Sequence, residues 1–163
     1  MQLTRQADYG VQMMMMIARS EAEGVVTVGA MSEARGLPRA FLAKIARQLC
    51  QAGLLRSSRG AGGGLRLARP AEEITLRQIV EALEGPILLN WCLLRPGACA
   101  HEQTCPVHGV WQRAQADLVN HLDAAKLSEM ATQQAVLESE LRRKTGDAPG
   151  PRPELAAADA AGA

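Results

Sequence analysis

The sequence predicts a mainly α-helical fold with one small β-hairpin, on three observations. Apolar residues recur at helical spacing in several separate stretches, a glycine-rich turn divides two short strand-like pieces, and aromatic residues make up only 2% of the chain. With four scattered aromatics (Tyr9, Phe41, Trp91, Trp111), the core must be built from Leu, Ile, Val, Met and Ala, a composition that favours helices. At 163 residues the chain has room for one globular unit with appendages, and is short for two full cores.

The first helix is expected over residues 3–19, with Leu3, Ala7, Val11, Met14 and Ala18 on one stripe and Thr4 as an early cap. The run Met13 to Met16 is apolar all round, so this helix should be buried on more than one side. After the polar break Ser20 to Gly24, Thr27 can cap a short second helix that Gly36 ends. Pro38 suits the first turn of a third helix, whose apolar positions Phe41, Leu42, Ile45, Ala46 and Leu49 keep helical spacing up to Gly53. Two short helices joined by a tight glycine-containing turn make a helix-turn-helix. The strand-like pieces Leu54–Ser58 and Leu65–Ala68, split by Arg59-Gly60-Ala61-Gly62-Gly63-Gly64, then form a hairpin. Thr75 can cap a fourth helix through Leu76, Ile79, Val80 and Leu83, stopped by Gly85.

Residues 86–104 show no period and read as an ordered functional loop, which at that length needs something to fix it. A fifth helix should begin at Cys105-Pro106, with Pro at the first helical position, and carry Val107, Val110, Trp111, Ala114, Leu118 and Leu122 on one stripe. A sixth is expected from about Lys126 to Arg143, with Leu127, Met130, Ala131, Leu137 and Leu141 as its apolar residues. The organisation is thus a winged helix-turn-helix domain at 1–85, a cluster-binding loop at 86–108, dimerisation helices within 105–143, and a disordered Pro-, Gly- and Ala-rich tail at 144–163.

Net charge is +1, but it is unevenly spread: residues 36–70 carry seven basic and no acidic side chains, whereas 71–163 carry eight basic and thirteen acidic. A basic half facing a polyanion is the simplest reading. No apolar run approaches the roughly 18–20 residues that span a bilayer, and the start Met1-Gln2-Leu3-Thr4-Arg5 is unlike a signal segment, so a cytoplasmic protein without membrane association is expected. There, the four cysteines (Cys50, Cys92, Cys99, Cys105) would stay reduced.

Two constellations carry chemistry. In a winged helix-turn-helix the third helix lies in the major groove of double-stranded DNA, and the hairpin, or wing, reaches the neighbouring backbone or minor groove. The candidate DNA-binding residues are Thr4, Arg39, Ala40, Lys44, Arg47, Arg59 and Gly60; wing glycines admit close backbone approach, and Arg59 can enter a narrow minor groove. The glycine-rich turn lacks the Gly-Lys-Ser/Thr ending of a P-loop and the G-x-G-x-x-G of a dinucleotide site. The second constellation is CLLRPGACAHEQTCPVH: Cys92, six residues, Cys99, five residues, Cys105, two residues, His108. Thiolates are soft ligands suited to iron-sulfur clusters or zinc, and an imidazole can complete either set. These spacings are longer than those usual in a zinc ribbon, and zinc remains the competing metal. Cys50, near the end of the third helix, reads as packing, His101 as a solvated loop residue, and His121 as packing or surface. The amphipathic fifth helix needs a further apolar surface, which a two-fold dimer supplies, as would packing on the first helix.

The segments LTRQADYG, LPRAFLAKIARQLCQAGLL, RGAGGGLRLARP and ITLRQIVEAL, with the three-cysteine loop, together resemble the Rrf-two family of regulators, among them IscR, NsrR and RirA, over about residues 1–132. The resemblance implies a dimeric winged-helix transcription regulator that senses iron, cluster supply, nitric oxide or oxidative stress through an iron-sulfur cluster. It makes Cys92, Cys99 and Cys105 ligands and leaves two candidates for the fourth. His108 matches the histidine of IscR-like members with a 2Fe-2S cluster, and Asp8 the N-terminal aspartate of NsrR-like members with a 4Fe-4S cluster. Two departures bear on this: the gap between Cys92 and Cys99 is one residue longer than in IscR, and Ala43 stands where IscR-like members carry a base-reading glutamate, implying a different target site. The expected function is a DNA-binding transcription regulator, a repressor by preference, with a zinc-bound or thiol-based redox regulator on the same fold as the alternative. No set of nucleophile, base and orienting residue points to an enzyme.

Overall fold

A computed structural model describes residues 3–20, 24–60 and 62–146. In chain order it contains α1 (Arg5–Arg19), α2 (Val28–Arg35), α3 (Arg39–Gln51), β1 (Leu55–Ser57), β2 (Leu65–Leu67), α4 (Leu76–Glu84), α5 (His108–Ala124) and α6 (Leu127–Thr145), with short 3-10 turns at Ala71–Glu73 and Trp91–Leu93. The mainly helical fold with one hairpin is as the sequence predicts.

Local capping chemistry sets most of these boundaries. Thr4 accepts the Gln6 amide at the start of α1, Thr27 accepts that of Ala30 in α2, and Thr75 closes a reciprocal capping box with Gln78 in α4. Gly36 ends α2 at φ 63°, a left-handed conformation that costs a side-chain-bearing residue. Pro38 is the residue preceding α3 rather than part of its first turn.

The buried line of α1 runs through Ala7, Gly10, Met13, Met14 and Ile17, rotated from the expected stripe: Leu3 is exposed, and Val11 and Ala18 are half-buried. Four consecutive methionines gave the sequence no phase to read, and packing chose it. That line meets α4, where Gly10 lies against the Leu83 side chain so closely that an added Cβ would strike its Cδ1. We expect Gly10→Ala to cost about 1–2 kcal/mol, the overpacking penalty less the gain in helix propensity, in a denaturant titration. An unchanged midpoint would show that Leu83 moves aside freely.

One core gathers Met14, Ile17, Met31, Ile45, Leu49, Leu54, Ile74, Ile79 and Leu127, drawn from α1, α2, α3, the hairpin region, α4 and α6. The hairpin is antiparallel with Leu55 opposite Leu67, Arg56 opposite Arg66 and Ser57 opposite Leu65, and Val26 adds a single bridge to Leu65. Helix α6 packs on α1, where Arg19 and Glu138 pair at 2.9 Å, and the arginine holds the Glu138 carboxyl below the usual carboxylate range.

Helix α5 packs on α4 rather than on α1. Its C-terminal end is tied down: the Leu76 amide donates to Ala125 O and the Leu127 amide to Ile74 O, both at 2.9 Å, and the Thr75 hydroxyl and Arg77 guanidinium both reach Asp123. Its N-terminal end differs from expectation, since the helix begins at His108 and not at Cys105-Pro106; those two residues form a turn closed by the His108 amide on Cys105 O. Helix α6 continues to Thr145, so the expected tail loses its first two residues to the helix, and its remainder from 147 onward lies outside the described residues. No helix among the described residues is long and apolar enough to cross a membrane.

Candidate nucleic-acid interface and metal-binding loop

Helix α3 buries Leu42, Ile45, Ala46 and Leu49 and leaves Arg39, Ala40, Lys44 and Arg47 exposed on the other side. This is the division a recognition helix needs: an apolar stripe fixing its attitude and a basic face open to a ligand. The Arg39 guanidinium is held by Glu33 of α2 at 2.9 Å, with both side chains largely exposed. Phe41 is half-buried and meets Tyr9 edge-on, ring centroids 5.8 Å apart, seating α3 against α1. Arg59 and Gly60 lie exposed at the tip of the hairpin, where Gly60 has φ 97°.

Thr4 differs from the other candidates, because its hydroxyl is engaged within the chain, accepting from Gln6 and donating to Glu84. Two residues that the motif reading did not single out belong beside the wing tip. Arg56 and Arg66 are exposed and directly opposite each other across the strands, an arrangement that is repulsive unless an anion lies over it. Their signal was present in the alternation Leu55-Arg56-Ser57 and Leu65-Arg66-Leu67.

The cysteine loop is built of short turns. Cys92 lies in the 3-10 turn Trp91–Leu93, Cys99 O accepts the Glu102 amide, and Cys105 O accepts the His108 amide, so each cysteine sits in its own tight turn. Gln115 of α5 holds the loop's entry by accepting the Leu89 amide and donating to Ile87 O. Nothing local in the sequence marks Gln115 for that role.

All four cysteines are free and half-buried. Cys92 and His108 line one open cavity of about 390 Å³, with Arg95, Glu102 and Gln115 also on its wall; Cys99 and Cys105 are not among its lining residues. His108 is buried, and among the described residues neither ring nitrogen has a hydrogen-bond partner. A buried imidazole without partners is costly unless something else completes it. Among the described residues no three His, Cys, Asp or Glu side chains stand close enough to hold a metal ion. Asp8 is exposed on α1, bonded to Gln12, in a groove with Leu76, Met130 and Leu137, and is not on the cavity wall. Cys50 packs against the core, and burial pushes its thiol up, partly offset by Ser57.

Helix, turn, helix and glycine-tipped hairpin, packed around one core, define a winged helix-turn-helix. Comparison with known proteins takes this further: residues 3–133 match the family model Rrf2, described as "Iron-dependent Transcriptional regulator". The HTH-type transcriptional regulator IscR of Escherichia coli (strain K12 / DH10B) is 30% identical over 152 residues, covering 93% of each chain. Among solved structures, IscR of T. potens is 26% identical with a TM-score of 0.62 over 92% of this chain and 94% of its own. The oxidized form of Staphylococcus aureus CymR is 30% identical with a TM-score of 0.63 over 80% and 96%. The chain belongs to the Rrf2 family of DNA-binding transcriptional regulators.

Proposed function

We propose that the protein is a dimeric, cytoplasmic repressor that binds a pseudo-palindromic operator through α3 and the wing, and senses iron, redox state or nitric oxide through an iron-sulfur cluster. The observation that carries the cluster reading is the buried, unpartnered His108 on one cavity wall with Cys92, at the foot of a loop that supplies two more thiols. These residues fit such a group in donor chemistry: Cys92, Cys99 and Cys105 would supply soft thiolates and His108 the fourth ligand. Within one chain His108 is favoured over Asp8, which lies in a different groove. When bound, the cluster would supply a redox-active, reversibly lost centre. This chain's part is to hold it at the start of α5, the helix that rests on α4.

Anaerobic purification from iron-replete cells, with a visible spectrum and iron, sulfide and zinc analysis, tests this reading. Iron and sulfide in near-equal amounts are expected. Stoichiometric zinc with neither would replace the cluster by the zinc alternative. A thiol-based redox regulator is the second reading, favoured by the separation of Cys99 and Cys105 from the cavity and by the likeness to a CymR solved in an oxidized form; metal-free protein whose DNA binding changes on thiol oxidation would select it.

For the DNA face, Arg59→Ala is expected to weaken operator binding strongly and Lys44→Ala moderately, each lost phosphate contact lowering the salt slope by about one. Titrations at several salt concentrations check this, and unchanged affinity and slope in both variants would remove the proposed face.

A further inference from the structure

We infer that Glu102 is a positioning residue that orients the His108 imidazole and braces the loop around Cys99, setting how firmly the loop keeps its metal group. The last clause rests on the cluster reading above, whereas the pairing of Glu102 with His108 does not.

Glu102 lies between Cys99 and Cys105, and its side chain reaches back across Cys99, where Oε2 accepts the Gly97 amide at 2.6 Å. Its own amide donates to Cys99 O at 3.2 Å. Side chain and backbone together therefore close the turn that presents Cys99, linking the two stretches that separate the three cysteines. The other oxygen, Oε1, faces His108 Nε2 at 3.7 Å, where the imidazole side chain is only 10% exposed and Glu102 only 27%.

That separation is longer than a hydrogen bond. Yet among the described residues no other acceptor serves either ring nitrogen, and both groups line the same cavity. A small approach of the carboxylate gives Nε2–H an acceptor and fixes the tautomer in which Nδ1 keeps its lone pair. A histidine that binds a metal through one nitrogen commonly donates from the other to a carboxylate or carbonyl, and removing that acceptor weakens retention about 10- to 100-fold. A solvated surface glutamate would leave its oxygens to water, whereas here one is bonded and the other is turned to a buried ring.

The test has two arms. In metal-free protein labelled with nitrogen-15 and held above about pH 8, where an ordinary imidazole is neutral, His108 is expected to show one tautomer with Nε2 protonated, and Glu102→Ala a mixture. In anaerobically prepared protein, Glu102→Ala should shorten the lifetime of the visible chromophore in air about 10-fold, while Glu102→Gln, which keeps an acceptor oxygen, recovers most of it. Unchanged His108 resonances in Glu102→Ala would overturn the positioning role whatever the lifetime does. A changed spectrum with an unchanged lifetime would overturn its part in retention. If the protein holds no iron the cluster reading fails, and the first arm alone decides the pairing. Circular dichroism of both variants should match wild type, since Glu102 lies in a loop outside the core.

Discussion

Replacing Cys92, Cys99 or Cys105 by serine, one at a time, is expected to abolish the visible absorbance of anaerobically purified protein, while Cys50→Ser leaves it unchanged. Such a band would arise from sulfur-to-iron charge transfer, and a serine oxygen is a harder, weaker donor that does not restore a missing thiolate. Cys50 is separated from the others by its environment: it packs against the core at the end of α3, and burial holds its thiol in the protonated form. Spectra normalised to protein, with iron and sulfide content, check this. A cysteine whose loss leaves the full band is not a ligand. The fourth ligand should separate more gently, with His108→Ala giving a chromophore that bleaches faster in air than that of Asp8→Ala. The reverse order would assign Asp8, which would then have to reach the loop from a second protomer.

The other large effect is expected from charging α5. Val107, Val110 and Trp111 are 47%, 51% and 37% exposed, Ala114 and Leu118 are half-buried, and Leu137 and Leu141 of α6 are also exposed. So much exposed apolar surface on a small protein asks for a cover, and a second copy is the occupant that two-fold symmetry makes available. Ala114→Glu should therefore yield monomer or aggregate in sedimentation, because an unpaired carboxylate at a closed interface costs several kcal/mol. Val110→Glu repeats the test at a position whose exposure spares the monomer's core. A monodisperse dimer in both variants would refute this interface.

What the sequence made legible was short-range chemistry. Thr4, Thr27 and Thr75 as caps, Gly36 and Gly85 as stops, and the glycine-tipped hairpin are decided within a few residues, and each stands where expected. The start of α5 differs from expectation because Pro106 is equally at home in a helix's first turn and in a tight turn just before one, and the choice depends on how the loop returns to Gln115 and His108. The helix that α5 packs against was equally beyond reach, since an apolar stripe names no partner. The candidate ligands could be listed from their spacing, but not that Cys92 and His108 share a wall while Asp8 lies in another groove, because that depends on contacts between distant parts of the chain. Glu102 and Gln115 carry no motif at all.

The bonds from Leu76 and Leu127 across the turn between α5 and α6 have a mechanical consequence. With 17 residues, α5 is about 25 Å long, and these bonds anchor its far end beside the Thr75 cap, while the near end begins at His108. It is thus a rod held at one end: on the cluster reading, a displacement at His108 would press it against α4, which packs directly on α3. Loss of a group from the loop would then be felt at α3 without the loop touching DNA, and the bonds of Thr75, Leu76 and Leu127 would set how stiff that linkage is.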